Sequence, residues 1–340
     1  MTTTKSTKSV ESIFIALSPL QLLFCYEAKL HYGLKNDVIL LPVDRESRGG
    51  KAIKKLLERQ SWTNVYFISH KHKLSTLRPA LNRLKSILTA TSVTLVHSEP
   101  THIYARAILG QFTVTREILV DDGTASFVEI PKIYQEQYVQ KYSFNWKAAL
   151  FLLQGIQLPR ELKYDHVEFF SIFQKEFSQY PKVVFNDMSA LMASLIDSEQ
   201  GKKGEPEIAF IGQPFVSSNG IKEANYLAYI QHAKRDNPGH KLRYFPHRCE
   251  DPNFLDRLSK MEGIEVNQSP LPLEVELSQH PTIVHMYSIA STTMFTLPKI
   301  YPNLVIHRVV TQADDYIQPH WFEGITNVEH RLEAFNTLKR

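Results

Sequence analysis

Only two cysteines, Cys25 and Cys249, occur in 340 residues, too few for a disulfide framework and in keeping with a reducing compartment. No apolar run approaches the ~20 residues that span a bilayer. The longest, Ala148 to Leu153, is far shorter. The Thr-, Ser- and Lys-rich start has no apolar core of the signal-peptide kind, so residues 1–11 read as a disordered tail.

Several chemical signatures are missing as well. There is no Gly-x-Gly-x-x-Gly and no Gly-x4-Gly-Lys-Ser/Thr, which removes the common dinucleotide and P-loop sites. His-Glu-x-x-His and Cys-x-x-Cys are absent, and with them the common zinc sites. Asp-x-Asp is absent too, so the chain lacks a familiar pair for holding a divalent ion on a diphosphate, and no metal is expected. Gly-x-Ser-x-Gly, the hydrolase elbow, does not occur.

What is present is an ordinary globular composition, 43% hydrophobic and 22% charged, at a length that suits about two domains. The formal charge of +4 does not point to nucleic acid. Lys71, Lys73, Arg78, Arg83 and Lys85 bunch locally, which suits an anionic substrate, an anionic membrane surface, or simply a solvated helix face.

Short β-branched runs alternate with helical patterns through the first part of the chain. Strands are predicted at Ile13–Leu17, Val38–Leu41, Val65–Ile68, Val93–Val96 and Ile118–Val120. Helices are predicted at Leu20–His31, Lys51–Glu58, about Leu74–Leu88 and Ala105–Leu109. From Ile133 to Ser198 the pattern reads as mostly helical, rich in aromatics and broken by Pro159 and Pro181. A polar linker follows, and then the alternation restarts with strands at Ile208–Ile211, Leu242–Phe245, Thr282–His285 and Leu304–His307, and a helix at Ile221–Lys234. Such alternation indicates α/β units with mostly parallel sheets. The expected division is 12–196 and 207–340, two Rossmann-like domains facing across a cleft.

In open α/β sheets ligands bind beyond the carboxyl ends of the strands. The polar clusters at those ends are therefore the candidates for chemistry. Asp121-Asp122-Gly123-Thr124 follows the apolar run Ile118–Val120, where a carboxylate can take a proton from a hydroxyl and glycine permits a sharp turn. Taken alone it is also an ordinary solvated turn. Pro246-His247-Arg248 can bind a phosphate or protonate a leaving oxygen, or be a surface loop. Ser291-Thr292-Thr293 can open a helix and bind an anion, or merely cap it. Gly212-Gln213-Pro214 and Ser18-Pro19-Leu20-Gln21 complete the set. Ser18 and Pro19 also have the form of a helix start.

Together these pieces resemble the bacterial two-domain (GT-B) sialyltransferases, in particular the lipooligosaccharide sialyltransferases of glycosyltransferase family 52 and their polysialyltransferase relatives. The resemblance rests on Ser18-Pro19-Leu20-Gln21, Asp121-Asp122-Gly123-Thr124, Ile211-Gly212-Gln213-Pro214, Phe245-Pro246-His247 and Ser291-Thr292. One departure is that the proline precedes His247, whereas the family motif is commonly His-Pro. The resemblance implies a cofactor-free, metal-independent, inverting transfer of sialic acid, or a related nonulosonic acid, from its CMP donor to a glycan or glycolipid acceptor. Asp121 would be the base, with Asp122 the alternative. His247, Ser291 and Thr292 would hold the CMP phosphate, with Arg248 adding charge and Gly212 and Gln213 lining the nucleotide side. It also implies a cytoplasmic location, peripheral to the inner membrane, with the basic stretch and the aromatic segment Tyr138–Leu153 as contact surfaces. A different nucleotide sugar, or a non-catalytic binding protein on the same fold, are the alternatives.

Overall fold

A computed structural model describes residues 12–69, 73–88, 92–134, 139–143, 146–174, 176–196 and 204–326. The expected tail (1–11), Lys71, Tyr138 and residues 197–203 of the expected linker lie outside the described residues. The chain divides into two units at Asn186 and Asp187.

The first unit runs β1 (Ser12–Ile15), α1 (Pro19–His31), β2 (Asp37–Leu41), α2 (Arg48–Leu57), β3 (Asn64–Phe67), α3 (Lys73–Ile87), β4 (Val93–His97), α4 (Ile103–Gln111) and β5 (Val114–Val120). Then come α5 (Ser126–Ile133), β6 (Val139–Lys141), α6 (Trp146–Leu153), β7 (Glu161–Lys163), β8 (Glu168–Ser171) and β9 (Val183–Phe185). Its seven-stranded sheet has the order β3-β2-β1-β4-β5-β8-β9 and every pairing is parallel. Covered on both faces, such strands become continuous apolar runs, as in Ile13-Phe14-Ile15, Val38 to Leu41 and Ile118 to Val120. One core packs Ile13, Val38 and Leu95 against Leu77, Leu81 and Leu84 of α3 and Tyr104 and Ile108 of α4. The α1 start follows from local chemistry: Ser18 Oγ accepts the Gln21 N–H at 3.2 Å and Pro19 occupies the first turn.

The second unit holds α7 (Ser189–Ile196), β10 (Glu207–Ile211), α8 (Glu223–Arg235), β11 (Lys241–Phe245), α9 (Pro252–Ser259), β12 (Ile264–Val266), α10 (Leu273–Glu276), β13 (Ile283–Ser288), α11 (Thr293–Ile300) and β14 (Val305–Arg308). Its sheet, β12-β11-β10-β13-β14, is again wholly parallel. Ile208, Phe210, Leu242 and Tyr244 pack with Tyr226 and Ile230 of α8 and with Phe254 and Leu258 of α9.

Two expectations need correction. The segment from Ile133 to Ser198 is not mostly helical: β8 and β9 extend the first sheet, and β6 pairs antiparallel with β7. Short aromatic runs such as Phe169-Phe170 carry no period that separates strand from helix. The division also falls earlier than 197–206, because α7 packs on α11 and so joins the second unit. Among the described residues no helix is long and apolar enough to cross a membrane.

Candidate active site

In the first sheet the strand order reverses between β1 and β4, the position where open α/β sheets bind ligands at the strand ends. Gln21, only 2% exposed, sits there in the first turn of α1. Its Oε1 accepts the Leu17 N–H at 2.7 Å, and its Nε2 donates to Asp122 Oδ1 at 2.8 Å and Glu99 Oε1 at 3.4 Å. A carboxamide can satisfy one backbone donor and two carboxylates in this orientation alone. One side chain thereby ties the ends of β1, β4 and β5 together.

The two aspartates have different surroundings. Asp121 is 1% exposed; its Oδ1 accepts from Ser171 Oγ at 2.8 Å and its Oδ2 from the Ile172 N–H at 2.7 Å. Burial pushes its pKa up to about 7, against the hydrogen bonds from Ile172, Ser126 and Ser171, and the charge of Asp122 adds to the rise. Asp122 is half-buried and joined to Gln21. The chain then turns at Gly123, whose φ of +60° lies in the left-handed region that favours glycine. Thr124 is half-buried within the short 3₁₀ turn that follows.

In the second unit three strand-end turns surround the corresponding reversal, between β10 and β13. Gly212 follows β10, and its N–H donates to Phe245 O of β11 at 2.8 Å. The Gln213 N–H donates to Tyr226 Oη at 2.9 Å. Pro246-His247-Arg248 follows β11. His247 Nδ1 accepts the Cys249 N–H at 3.2 Å, which places the proton of the neutral ring on Nε2 and makes that nitrogen a donor. Arg248 and Cys249 are exposed, whereas Cys25 is buried, with its thiol pKa pushed far up by burial. After β13, Ser291 Oγ accepts from the Thr293 N–H at 3.3 Å and the Thr293 hydroxyl at 2.9 Å, closing a turn just before α11. Thr292 is half-buried beside it. Behind this helix Glu274 is buried and accepts from Thr296 Oγ1 at 2.7 Å.

The structure thus gathers Ser18, Pro19, Gln21, Asp121, Asp122, Gly123 and Thr124 at one rim of the first unit. It places Gly212, Gln213 and His247 on neighbouring turns of the second, with Ser291 and Thr292 at the end of the adjoining strand β13. Arg248 stands on the surface beside them. Sequence reasoning missed Glu99, Ser171 and Ile172, and in the second unit Glu250, Tyr226 and Tyr244. Glu99 lies two residues beyond β4, close behind a strand visible in the sequence, a signal that could have found it. Ser171 and Ile172 depend on a strand that was not recognised. Among the described residues no group of three or more His, Cys, Asp or Glu side chains is placed to hold a metal ion.

No protein-family model matches the chain, and no curated protein sequence matches it. Solved structures do. An α/β-galactoside α-2,3-sialyltransferase from Photobacterium phosphoreum is similar over 95% of this chain and 97% of its own, at 12% identity and a TM-score of 0.53. The GT-B domain of a Photobacterium damselae sialyltransferase gives the same figures. A UDP-GlcNAc 2-epimerase from Neisseria meningitidis, bound to UDP-GlcNAc, is similar over 97% of this chain and 91% of its own, at 10% identity and a TM-score of 0.54. At such identities the likeness is one of fold. The fold is GT-B, built of two Rossmann-like units.

Proposed function

We propose that this chain is a glycosyltransferase of the sialyltransferase kind, akin to glycosyltransferase family 52. It transfers sialic acid, or a related nonulosonic acid, from a CMP donor to a hydroxyl of a cell-surface glycan. The observation that carries this reading is the acidic pair Asp121-Asp122 at the strand-order reversal of the first unit, Asp122 held by Gln21 and Asp121 by Ser171 and Ile172. An epimerase shares the fold, so the fold alone does not choose. A carboxylate pair at this rim, with the Asp121 carboxyl raised to about 7 by burial, suits deprotonation of an acceptor hydroxyl.

In this reading the acceptor oxygen attacks the anomeric carbon in a single displacement, which inverts its configuration. The C–O bond to the phosphate breaks, CMP leaves as a monoester, and the acceptor proton passes to the acidic pair. Asp121 supplies the proton affinity matched to neutral pH, and Asp122 is the more exposed member. On the second unit, His247 Nε2–H, the hydroxyls of Ser291 and Thr292 and the start of α11 stabilise the charge that grows on the phosphate. Nothing in this scheme requires a cofactor.

The test is direct. Calorimetry with CMP and UDP is expected to give binding of CMP, and incubation with CMP-sialic acid to release CMP only when a galactoside or lipooligosaccharide is added. Binding of UDP alone would reassign the donor, and binding of neither would end the transferase reading.

A lipid-linked acceptor calls for contact with a membrane surface, and α6 supplies a candidate. Trp146 is 69% and Leu153 82% exposed, with Leu152 beside them. Residues 139–163 carry Lys141, Lys147, Arg160 and Lys163 against the single acid Glu161. Exposed apolar side chains in a cationic stretch suit an anionic bilayer. Co-sedimentation with vesicles containing phosphatidylglycerol is expected to fall by about tenfold or more in Trp146→Glu/Leu153→Glu, from the lost burial of two large side chains. Unchanged sedimentation would remove α6 from the proposal.

A further inference from the structure

Glu250 belongs to none of the motifs above, yet it lies beneath two of the strand-end turns. It is 7% exposed. Its Oε1 accepts from Tyr244 Oη at 2.5 Å, and its Oε2 accepts the backbone N–H of His247 at 2.6 Å. Tyr244 Oη lies 3.2 Å from Tyr226 Oη, which in turn accepts the Gln213 N–H. The direction of every bond follows. Tyr244 spends its proton on the carboxylate, so Tyr226 donates to Tyr244 and receives from Gln213. The carboxylate is thus the terminus of a buried chain that begins at the backbone of one turn, and its other oxygen grips the backbone of the second.

Gly212 reports how closely the parts fit. A Cβ there would fall 2.4 Å from Glu250 Oε2 and 2.6 Å from Tyr244 Oη, so the turn rests directly on the network. The next residue along, Asp251, donates its N–H to Ser217 Oγ at 2.7 Å, a further tie between the segments that follow β10 and β11. Loops are ordinarily the mobile parts of a fold. These two are joined underneath by polar groups whose separation would leave buried donors and acceptors unpaired.

We propose that Glu250 is a positioning residue which, through Tyr244 and Tyr226, fixes the Gly212-Gln213 turn and the Pro246-His247-Arg248 turn in one register, so that both meet the phosphate of a bound nucleotide already assembled. This deepens the reading above and rests on it for the identity of the nucleotide. Preassembly matters most for the phosphate, whose recognition depends on donors held in place, and least for the base and sugar. The consequence is measurable as the preference of the protein for a nucleoside monophosphate over its nucleoside.

The experiment titrates wild type, Glu250→Gln and Tyr226→Phe with CMP, cytidine, UMP and uridine by calorimetry, with thermal denaturation alongside. A glutamine at 250 offers one acceptor where two donors wait, and its amide faces a donor. Phenylalanine at 226 keeps the ring against Phe210, Phe215 and Phe254 while cutting the link to Gln213. Each variant is expected to lose about tenfold of the monophosphate preference, the scale of one charge-assisted hydrogen bond, with nucleoside affinity unchanged. Parallel weakening of nucleotide and nucleoside, or an unchanged preference in a folded variant, would overturn the assignment. If Glu250→Gln does not fold, Tyr226→Phe decides. Should wild type prefer UMP to uridine and ignore cytidylate, the proposed donor falls while the uridine pair still tests the loops. A wild type with no preference for either monophosphate sinks the loop assignment itself.

Discussion

Asp121→Asn is expected to lower turnover by about 10²–10⁴-fold, the loss typical of a missing proton acceptor, while making the protein more resistant to heat above neutral pH. Both effects come from the same burial. With its pKa pushed up to about 7, Asp121 must be ionised to act as a base, so kcat/KM should show an acid limb near pH 7 in the wild type. That limb should vanish from the residual activity of the variant. If no acid limb appears near pH 7, the assignment of the base to Asp121 is wrong.

The stability effect has a definite sign. Between the ordinary carboxylate range and about pH 7 the folded protein holds a proton on Asp121 that the unfolded chain has released. Stability therefore declines as pH rises through this window, and above it the buried charge is carried at full cost. The substitution helps because an uncharged carboxamide of the same shape can accept from the Ile172 N–H and donate to Ser171 Oγ. Melting temperatures should favour Asp121→Asn most at about pH 8 and converge as the pH falls below the window. A variant less stable than wild type on the alkaline side would mean that the charged form is not strained by its surroundings.

His247→Ala should lower kcat by about 10²–10³-fold, the range seen when one donor to a developing anion is removed. The reasoning turns on the tautomer. Because Nδ1 accepts the Cys249 N–H, the proton of the neutral ring lies on Nε2, which is therefore the ring's donor. CMP affinity should weaken as well, since product and transition state both present phosphate charge. His247→Asn, which retains an N–H donor on a shorter side chain, should recover part of the loss. His247 is half-buried and its backbone is anchored by Glu250, so the melting temperature should hardly move. Single-turnover rates matching wild type would remove His247 from the chemistry.

Much of this arrangement was legible in the sequence because parallel strands buried on both faces must be continuous apolar runs. Val38 to Leu41, Ile118 to Val120 and Ile208 to Ile211 stand out for that reason, and the polar or turn-forming residues beyond such runs mark the strand ends. The start of α1 was legible in Ser18-Pro19. The strands β8 and β9 were not, because Glu168–Ser171 and Val183–Phe185 are too short to show a period. With β8 unseen, the partners of Asp121 were invisible and its burial could not be anticipated. Tyr226 and Tyr244 raise a different difficulty. Their rings fit the apolar pattern of α8 and β11, and nothing in that pattern shows that the Tyr226 hydroxyl meets that of Tyr244, which in turn meets a carboxylate from a later turn. Short strands and long-range polar partnerships are tertiary facts, written only in the folded chain.

The lone exposed thiol of the described chain, Cys249, sits between His247 and Glu250, while Cys25 is sealed in the first unit with its proton held tightly. Thiolate character and access together govern alkylation, so a maleimide dye would mark this turn and spare the other sulfur. The molecule therefore carries a native attachment point for a fluorescent reporter close beside the imidazole, with no engineered cysteine required.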